Sequence, residues 1–158
     1  MVGLAIERFL PCAVAALVLA ICLLFRSEIA VFFTDNHLSM DGLYNAVFGW
    51  SAIQTGFIFA VYGFVVGSEG GFIEKIRDTT PMKQFLVYTK NATYIGFALT
   101  ILSMPLMVSG IKVGANFWPY FFVAVWFTLF IWAFLSFARV AYLFGILLRP
   151  KSKPLLPG

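Results

Sequence analysis

The chain is 158 residues long, 61% hydrophobic, 18% aromatic and only 11% charged, with a formal net charge of +4. A soluble globular domain carries about 25% charged residues, and the mean hydropathy of +0.93 argues against that class as well. The length suits one membrane domain of about four spanning helices with short connections and leaves no room for a separate soluble catalytic module.

Four apolar runs stand out, at 9–25, 43–66, 91–108 and 118–148. They predict an all-α integral membrane protein with four transmembrane helices in a single domain. The expected helices cover about 5–33, 40–67, 81–108 and 118–148, with a connection at 68–80 and a tail at 149–158. The first run follows Glu7 and Arg8 and superficially resembles a signal peptide. It ends in Phe25-Arg26-Ser27-Glu28 with no small-residue cleavage pattern, so it reads as an uncleaved first span. Residues 29–33 are expected to continue this helix above the membrane or along its surface.

Cys12 and Cys22 sit ten residues apart on the first helix, about 15 Å along its axis. That is beyond disulfide reach, and both read as buried small apolar residues. The connection that follows gathers Glu28, Asp35, His37 and Asp41, a set able to ligate zinc or sense pH. A solvated polar loop is the preferred reading.

In the second helix Gly42, Gly49, Gly56 and Gly63 recur at seven-residue intervals. Seven residues is two helical turns, so the four share a face. Ala46, Ala52, Ala60 and Gly67 widen it into a strip almost free of side chains. In lipid, close backbone approach is a main source of helix association, and the strip is expected to be the packing spine of the bundle. Ser39 is a candidate N-cap. Ser51, Gln54 and Thr55 lie near mid-depth, and Gln54, almost opposite the glycines, is expected to bond to a neighbouring helix; a place in a solute pathway is the alternative.

The 68–80 connection closes on Thr80-Pro81, a cap followed by proline at the first helical position. Within it Phe72, Ile73 and Ile76 alternate with Glu74, Lys75 and Arg77 as a short amphipathic turn suited to a membrane surface or a partner. Lys83, Gln84 and Lys90 then stand on turns of the third helix outside the lipid. Ala92, Gly96, Thr100 and Ser103 form a small and polar stripe on that helix, a natural surface for the second helix. Pro105 is expected to kink it.

The last helix starts at Trp118-Pro119, and the rise from Trp118 to Arg139 is about 31 Å, one hydrocarbon thickness. Arg139 then marks the boundary, and the apolar stretch 140–148 projects past it. Either the helix tilts and Arg139 needs a partner in lipid, such as Glu69 or Glu74, or the extension docks on protein. Docking is the favoured reading. The rings of this helix, Phe121, Trp126, Phe130 and Phe137 among them, point to every side and read as lipid and subunit contacts.

With the N-terminus in the cytoplasm, Arg8, Lys75, Arg77, Lys83, Lys90, Arg139, Arg149, Lys151 and Lys153 share one side, against Arg26 and Lys112 on the other. This bias predicts that both termini are cytoplasmic and that the last helix extends into the cytoplasm. Such a rim also favours anionic lipid headgroups. Between the interfaces no Asp, Glu, Lys or His occurs, which weighs against a proton-coupled pump. His37 is the single histidine, so bis-histidine haem ligation within the chain is excluded. No phosphate-binding glycine loop or paired catalytic carboxylates occur. The expectation is a protein that is not an enzyme, needs no cofactor or metal, and makes no direct contact with nucleic acid.

In its four runs, the inner hairpin at 68–90 and the Pro150-Lys151-Ser152-Lys153 tail, the chain resembles KwaA, the small membrane component of the Kiwa bacterial antiphage defence system. The resemblance is one of architecture. It implies a homo-oligomeric sensor in the bacterial inner membrane that holds a soluble effector on its cytoplasmic side.

The functional expectation is a non-enzymatic scaffold or sensor, tetrameric, in contact with membrane lipids and docking a soluble cytoplasmic protein. Phe72, Ile76, Arg77, Lys83, Arg139, Leu143, Phe144, Leu147 and Arg149 are its candidate partner-binding residues. Gly42, Gly49, Gly56, Gly63, Gly67 and Gly96 are the candidate helix-packing residues. The alternative is an oligomeric pore whose polar lining between subunits comes from Ser51, Gln54, Thr55, Thr100 and Ser103.

Overall fold

The structure, a computed structural model, describes residues 2–67, 79–111 and 116–147, with side chains from 10 onward and up to 146. The described elements are helices: α1 (Val2–Leu24), α2 (Arg26–Asp35), α3 (Met40–Gly67), α4 (Thr80–Ser109) and α5 (Phe117–Leu147). Helices α3, α4 and α5 are each long and apolar enough to cross a membrane, and α1 with α2 makes a fourth if that bent pair is one span. The described residues are thus all-helical, with three or four helices able to span a membrane, as an integral membrane protein requires. At ~1.5 Å per residue the three long helices reach about 42 to 46 Å, more than the ~30 Å hydrocarbon core.

The continuous first helix expected over 5–33 is corrected by a bend of 75° between α1 and α2. The apolar run stops at Phe25, and Arg26 turns back so that its guanidinium lies 5.4 Å from the ring centre of Phe117 and 5.8 Å from that of Tyr120. The Tyr120 hydroxyl donates to the main-chain carbonyl of Cys22 near the bend, where a helix end otherwise leaves acceptors unpaired. Across the elbow Phe25 N–H still reaches Ile21 at 2.9 Å and Ile29 N–H reaches Phe25 at 3.0 Å. The two cysteines are free, but Cys12 is exposed and Cys22 only partly covered, which corrects the expectation of burial.

Ser39 caps α3, its hydroxyl accepting from Gly42 N–H at 3.4 Å. Helix α4 starts one residue earlier than expected, with Thr79 in the cap position and a proline in the first turn. It ends at Gly110, whose φ of 55° is the left-handed conformation glycine adopts freely. Pro105 lies inside α4.

Helix α3 packs mainly on α4, α4 on α5, and α1 along another side of α5. The core forms two clusters. One joins Met40, Tyr44 and Val47 to Leu99, Leu106 and Trp126; the other joins Ile58, Val61 and Val65 to Met82, Phe85 and Val140. The buried face of α3 advances in alternating steps of four and three from Met40 through Tyr44, Val47, Ser51, Gln54 and Ile58 to Val65. That alternation is the seam of a coiled-coil-like packing.

The glycine ridge is not this seam. A side chain added at Gly49, Gly56, Gly63 or Gly67 would meet nothing within 4 Å, and one at Gly42 only the Ser39 hydroxyl at 3.9 Å. The expectation that the ridge is the spine of the fold is therefore corrected: within one chain it faces outward. The reason is shape and bonding. The 4-3 seam presents branched apolar groups and hydrogen-bonding side chains that interlock with α4 and α5.

Next to the glycines runs a second register, also missed from the sequence. Trp50, Phe57 and Phe64 on α3 meet Phe130, Phe137 and Phe144 on α5. Ring centres lie 5.2 Å apart for Trp50 and Phe130, 5.7 Å for Phe57 and Phe137, and 6.3 Å for Phe64 and Phe144. All three contacts are near-perpendicular, the favoured edge-to-face arrangement. Both helices use a seven-residue repeat, so the rungs stay level only because α3 and α5 run parallel. The rings of α5 are thus not undifferentiated lipid contacts; one heptad face is committed to α3.

Candidate functional site

The candidate pore residues face the interior between α3, α4 and α5. Ser51, Gln54, Thr55 and Ser103 are buried, and Thr100 is half-buried. Thr100 Oγ1 lies 3.0 Å from Ser51 Oγ and 2.9 Å from the Gly96 carbonyl oxygen, one proton serving either acceptor. Ser51 donates to Phe48 O at 2.9 Å and Thr55 to Ser51 O at 2.7 Å. Ser103 donates to Leu99 O at 2.7 Å and accepts from the Trp126 indole N–H at 2.9 Å. These hydroxyls mostly reach back to their own helix, which satisfies them without water.

Gln54 crosses to another helix. Its Nε2 donates to the main-chain carbonyl of Ala133 on α5 at 3.1 Å. Its Oε1 is buried and accepts no hydrogen bond. The amide lies between helices, as its position in the sequence predicts, and its acceptor is a main-chain carbonyl. The stripe on α4 faces the same layer: Ala92, Gly96 and Ser103 are buried, and a side chain at Gly96 would collide with the Thr55 hydroxyl. A close approach of α3 and α4 therefore requires glycine here. Because all five candidate pore residues are packed inside one chain, their expected position between subunits is corrected.

At the far end of α4 and α5 the expected partners of Arg139, Glu69 and Glu74, lie outside the described residues. The arginine instead stacks on Tyr88 of α4, its guanidinium carbon 3.6 Å from the ring centre, a cation–π contact that lets a charge sit against an apolar wall. The stretch after it is covered in part by the chain's own helices: Val140 is buried, and Leu143 and Phe144 pack on the cluster of Ile58, Val61, Met82 and Phe85, while Tyr142 and Ile146 are exposed. Leu143 and Phe144 both remain half-exposed. Lys83 is exposed on the first turns of α4. Phe72, Ile76, Arg77, Arg149 and the Leu147 side chain lie outside the described residues, as does the expected amphipathic turn.

At the opposite end, Glu28, Asp35, His37 and Asp41 are all exposed, and His37 has a φ of 49°. Among the described residues no three His, Cys, Asp or Glu side chains gather as a metal would require. No protein-family model, curated protein or solved structure matches the chain.

Proposed function

We propose that the chain is a non-enzymatic membrane scaffold or sensor that self-associates and presents its basic end to a soluble cytoplasmic protein. The observation that carries this reading is the uncovered ridge at Gly49, Gly56 and Gly63, with Ala46, Ala52 and Ala60 also exposed on the same helix. A helix from a second copy can approach such a surface closely enough to gain dispersion and weak backbone contacts, which lipid tails do not provide as well. The excess of Lys and Arg on the 68–90 and 139–153 segments supports a cytoplasmic position for that end and an acidic patch on its partner. The suggestion of antiphage defence rests on architecture alone.

Light scattering on the detergent-solubilised chain tests the self-association. The native chain is expected to run as more than one copy, and Gly49→Leu with Gly56→Leu to reduce it to a monomer of unchanged helical content. A native monomer, or a doubly substituted chain of unchanged mass, removes the reading. Co-purification under mild conditions tests the docking part, which fails if no soluble protein is recovered in stoichiometric amount.

A further inference from the structure

Helix α1 has 23 residues and rises about 34 Å, enough by itself for the ~30 Å hydrocarbon core. Helix α2 adds ten residues, about 15 Å, and leaves α1 at 75°, so it runs close to the membrane plane where α1 crosses the bilayer. The elbow fixes its level. Arg26 rests against the rings of Phe117 and Tyr120 in the first turn of α5, and Phe117 and Trp118 are exposed there. Tryptophan and tyrosine concentrate where the lipid headgroups begin.

The sides of α2 differ. Ile29 and Phe33 turn toward the starts of α3 and α5, where they border a cavity of about 150 Å³ with Leu43, Tyr120 and Phe127. Ser27 and Thr34, seven residues apart, share a second side, and Glu28 and Asp35 share a third; all four are exposed. Val31, between Ser27 and Asp35 around the helix, is the one apolar group on that polar half. Phe32 comes between Ile29 and Glu28 and is 57% exposed, and Phe25 at the elbow is 53% exposed. No residue of α2 is buried within the chain.

We infer that α2 is an interfacial helix whose partner is the membrane surface itself: Phe25 and Phe32 dip into the boundary between headgroups and acyl chains, while Glu28 and Asp35 face water. Three features carry the assignment. The first is length, since α1 completes the crossing and α2 is about half of what a span needs. The second is charge. Arg26, Glu28 and Asp35 within ten residues make α2 costly to place in hydrocarbon, whereas at the interface they stay solvated. The third is the backbone at the elbow. Phe25 N–H bonds to Ile21 and Ile29 N–H to Phe25, and the Tyr120 hydroxyl donates to the Cys22 carbonyl, so the chain turns at the edge of the hydrocarbon with these groups satisfied, as lipid requires. Lipid fits this side better than protein does. Two aromatic side chains of about 150–250 Å² each fall well short of the ~800 Å² per partner of a stable protein interface, while partition into lipid has no minimum area. The assignment does not depend on self-association through the glycine ridge.

The test places a nitroxide on single cysteines of the full chain, carrying Cys12→Ala and Cys22→Ala, in liposomes of phosphatidylcholine and phosphatidylglycerol. Power saturation with oxygen, which concentrates in hydrocarbon, and with a water-soluble nickel chelate gives the depth of each label. A label at Ile53→Cys, exposed in the middle of α3, is expected to meet oxygen alone, which establishes that the chain lies in the bilayer. The label at Phe32→Cys is expected about 5–10 Å below the phosphate level, and labels at Glu28→Cys and Asp35→Cys above that level and open to nickel. If the Phe32→Cys chain does not fold, Phe25→Cys is read in the same way. Three results overturn the proposal: a label at position 32 as open to nickel as one at 28, which puts α2 in water; both labels at the depth of position 53, which makes α1 and α2 a broken span; or a label at 32 shielded from both reagents, which puts protein over it. A label at position 53 open to nickel removes the membrane placement itself and this proposal with it.

Discussion

Gln54 on α3 donates a hydrogen bond of 3.1 Å to the main-chain carbonyl of Ala133 on α5, while the oxygen of the same amide is buried with no donor. The two halves of this side chain oppose each other energetically. An interhelical hydrogen bond in a membrane contributes about 0.6 kcal/mol on average, whereas an unsatisfied buried polar group costs about 1–3 kcal/mol. Gln54→Leu, which keeps the volume and removes both, is therefore expected to leave stability unchanged or raise it by about 1 kcal/mol. Thermal or steric-trapping unfolding of the detergent-solubilised chain measures this. A loss beyond about 1 kcal/mol would mean that the oxygen is engaged by a donor.

The glycines of α3 and α4 separate into two kinds, and substitution distinguishes them. At Gly96 a methyl group collides with the Thr55 hydroxyl, so Gly96→Ala should destabilise the chain by about 1–3 kcal/mol, the usual range for overpacking. The cost should fall in a Thr55→Ala background, because the group struck is then gone. Gly56→Ala meets open space and replaces the residue most costly to a helix after proline, so the monomer should gain up to about 1 kcal/mol. A double-mutant cycle on unfolding free energies reads both. Equal effects at Gly96 and Gly56 would contradict the arrangement of α3 on α4.

Phe137 touches two rings, with its centre 6.0 Å from Trp50 and 5.7 Å from Phe57. Aromatic pairs contribute about 0.5–1.5 kcal/mol beyond their area, so Phe137→Leu is expected to cost about 1–3 kcal/mol. Phe122, which is exposed and whose ring, among the described residues, pairs only with its neighbour Phe121, serves as the control, and Phe122→Leu should cost under about 0.5 kcal/mol. Trp50 emission should shift in the first variant and not in the second. Indistinguishable behaviour would show that the parallel ladder of α3 and α5 contributes nothing to the fold.

Much of this architecture is legible in the amino-acid order. The apolar runs locate α3 and α5 to within a few residues, Thr80-Pro81 marks the start of α4 well ahead of its apolar run, Ser39 marks the start of α3, and the lone amide at Gln54 points across to another helix. The small stripe of Ala92, Gly96 and Ser103 marks the inward side of α4. The bend at Phe25 is less visible: Arg26, Ser27 and Glu28 announce a change of environment, but its direction depends on the rings of Phe117 and Tyr120, about ninety positions away. The interior of α3 was also written in the chain, as the four-three alternation ending at Val65.

Composition and run length by themselves determined that the chain has helices suited to a membrane and roughly where they lie, because the transfer of each apolar segment into lipid is a local property of that segment. Only the tertiary structure decided which side of α3 turns inward, what Arg139 rests on, and which part of the end of α5 packs on its own helices. In a soluble helix, water separates the two faces by polarity. In lipid both faces of α3 are apolar, so its rotation is settled by interlocking shape and by hydrogen bonds that close between helices, and those depend on residues far apart in the chain.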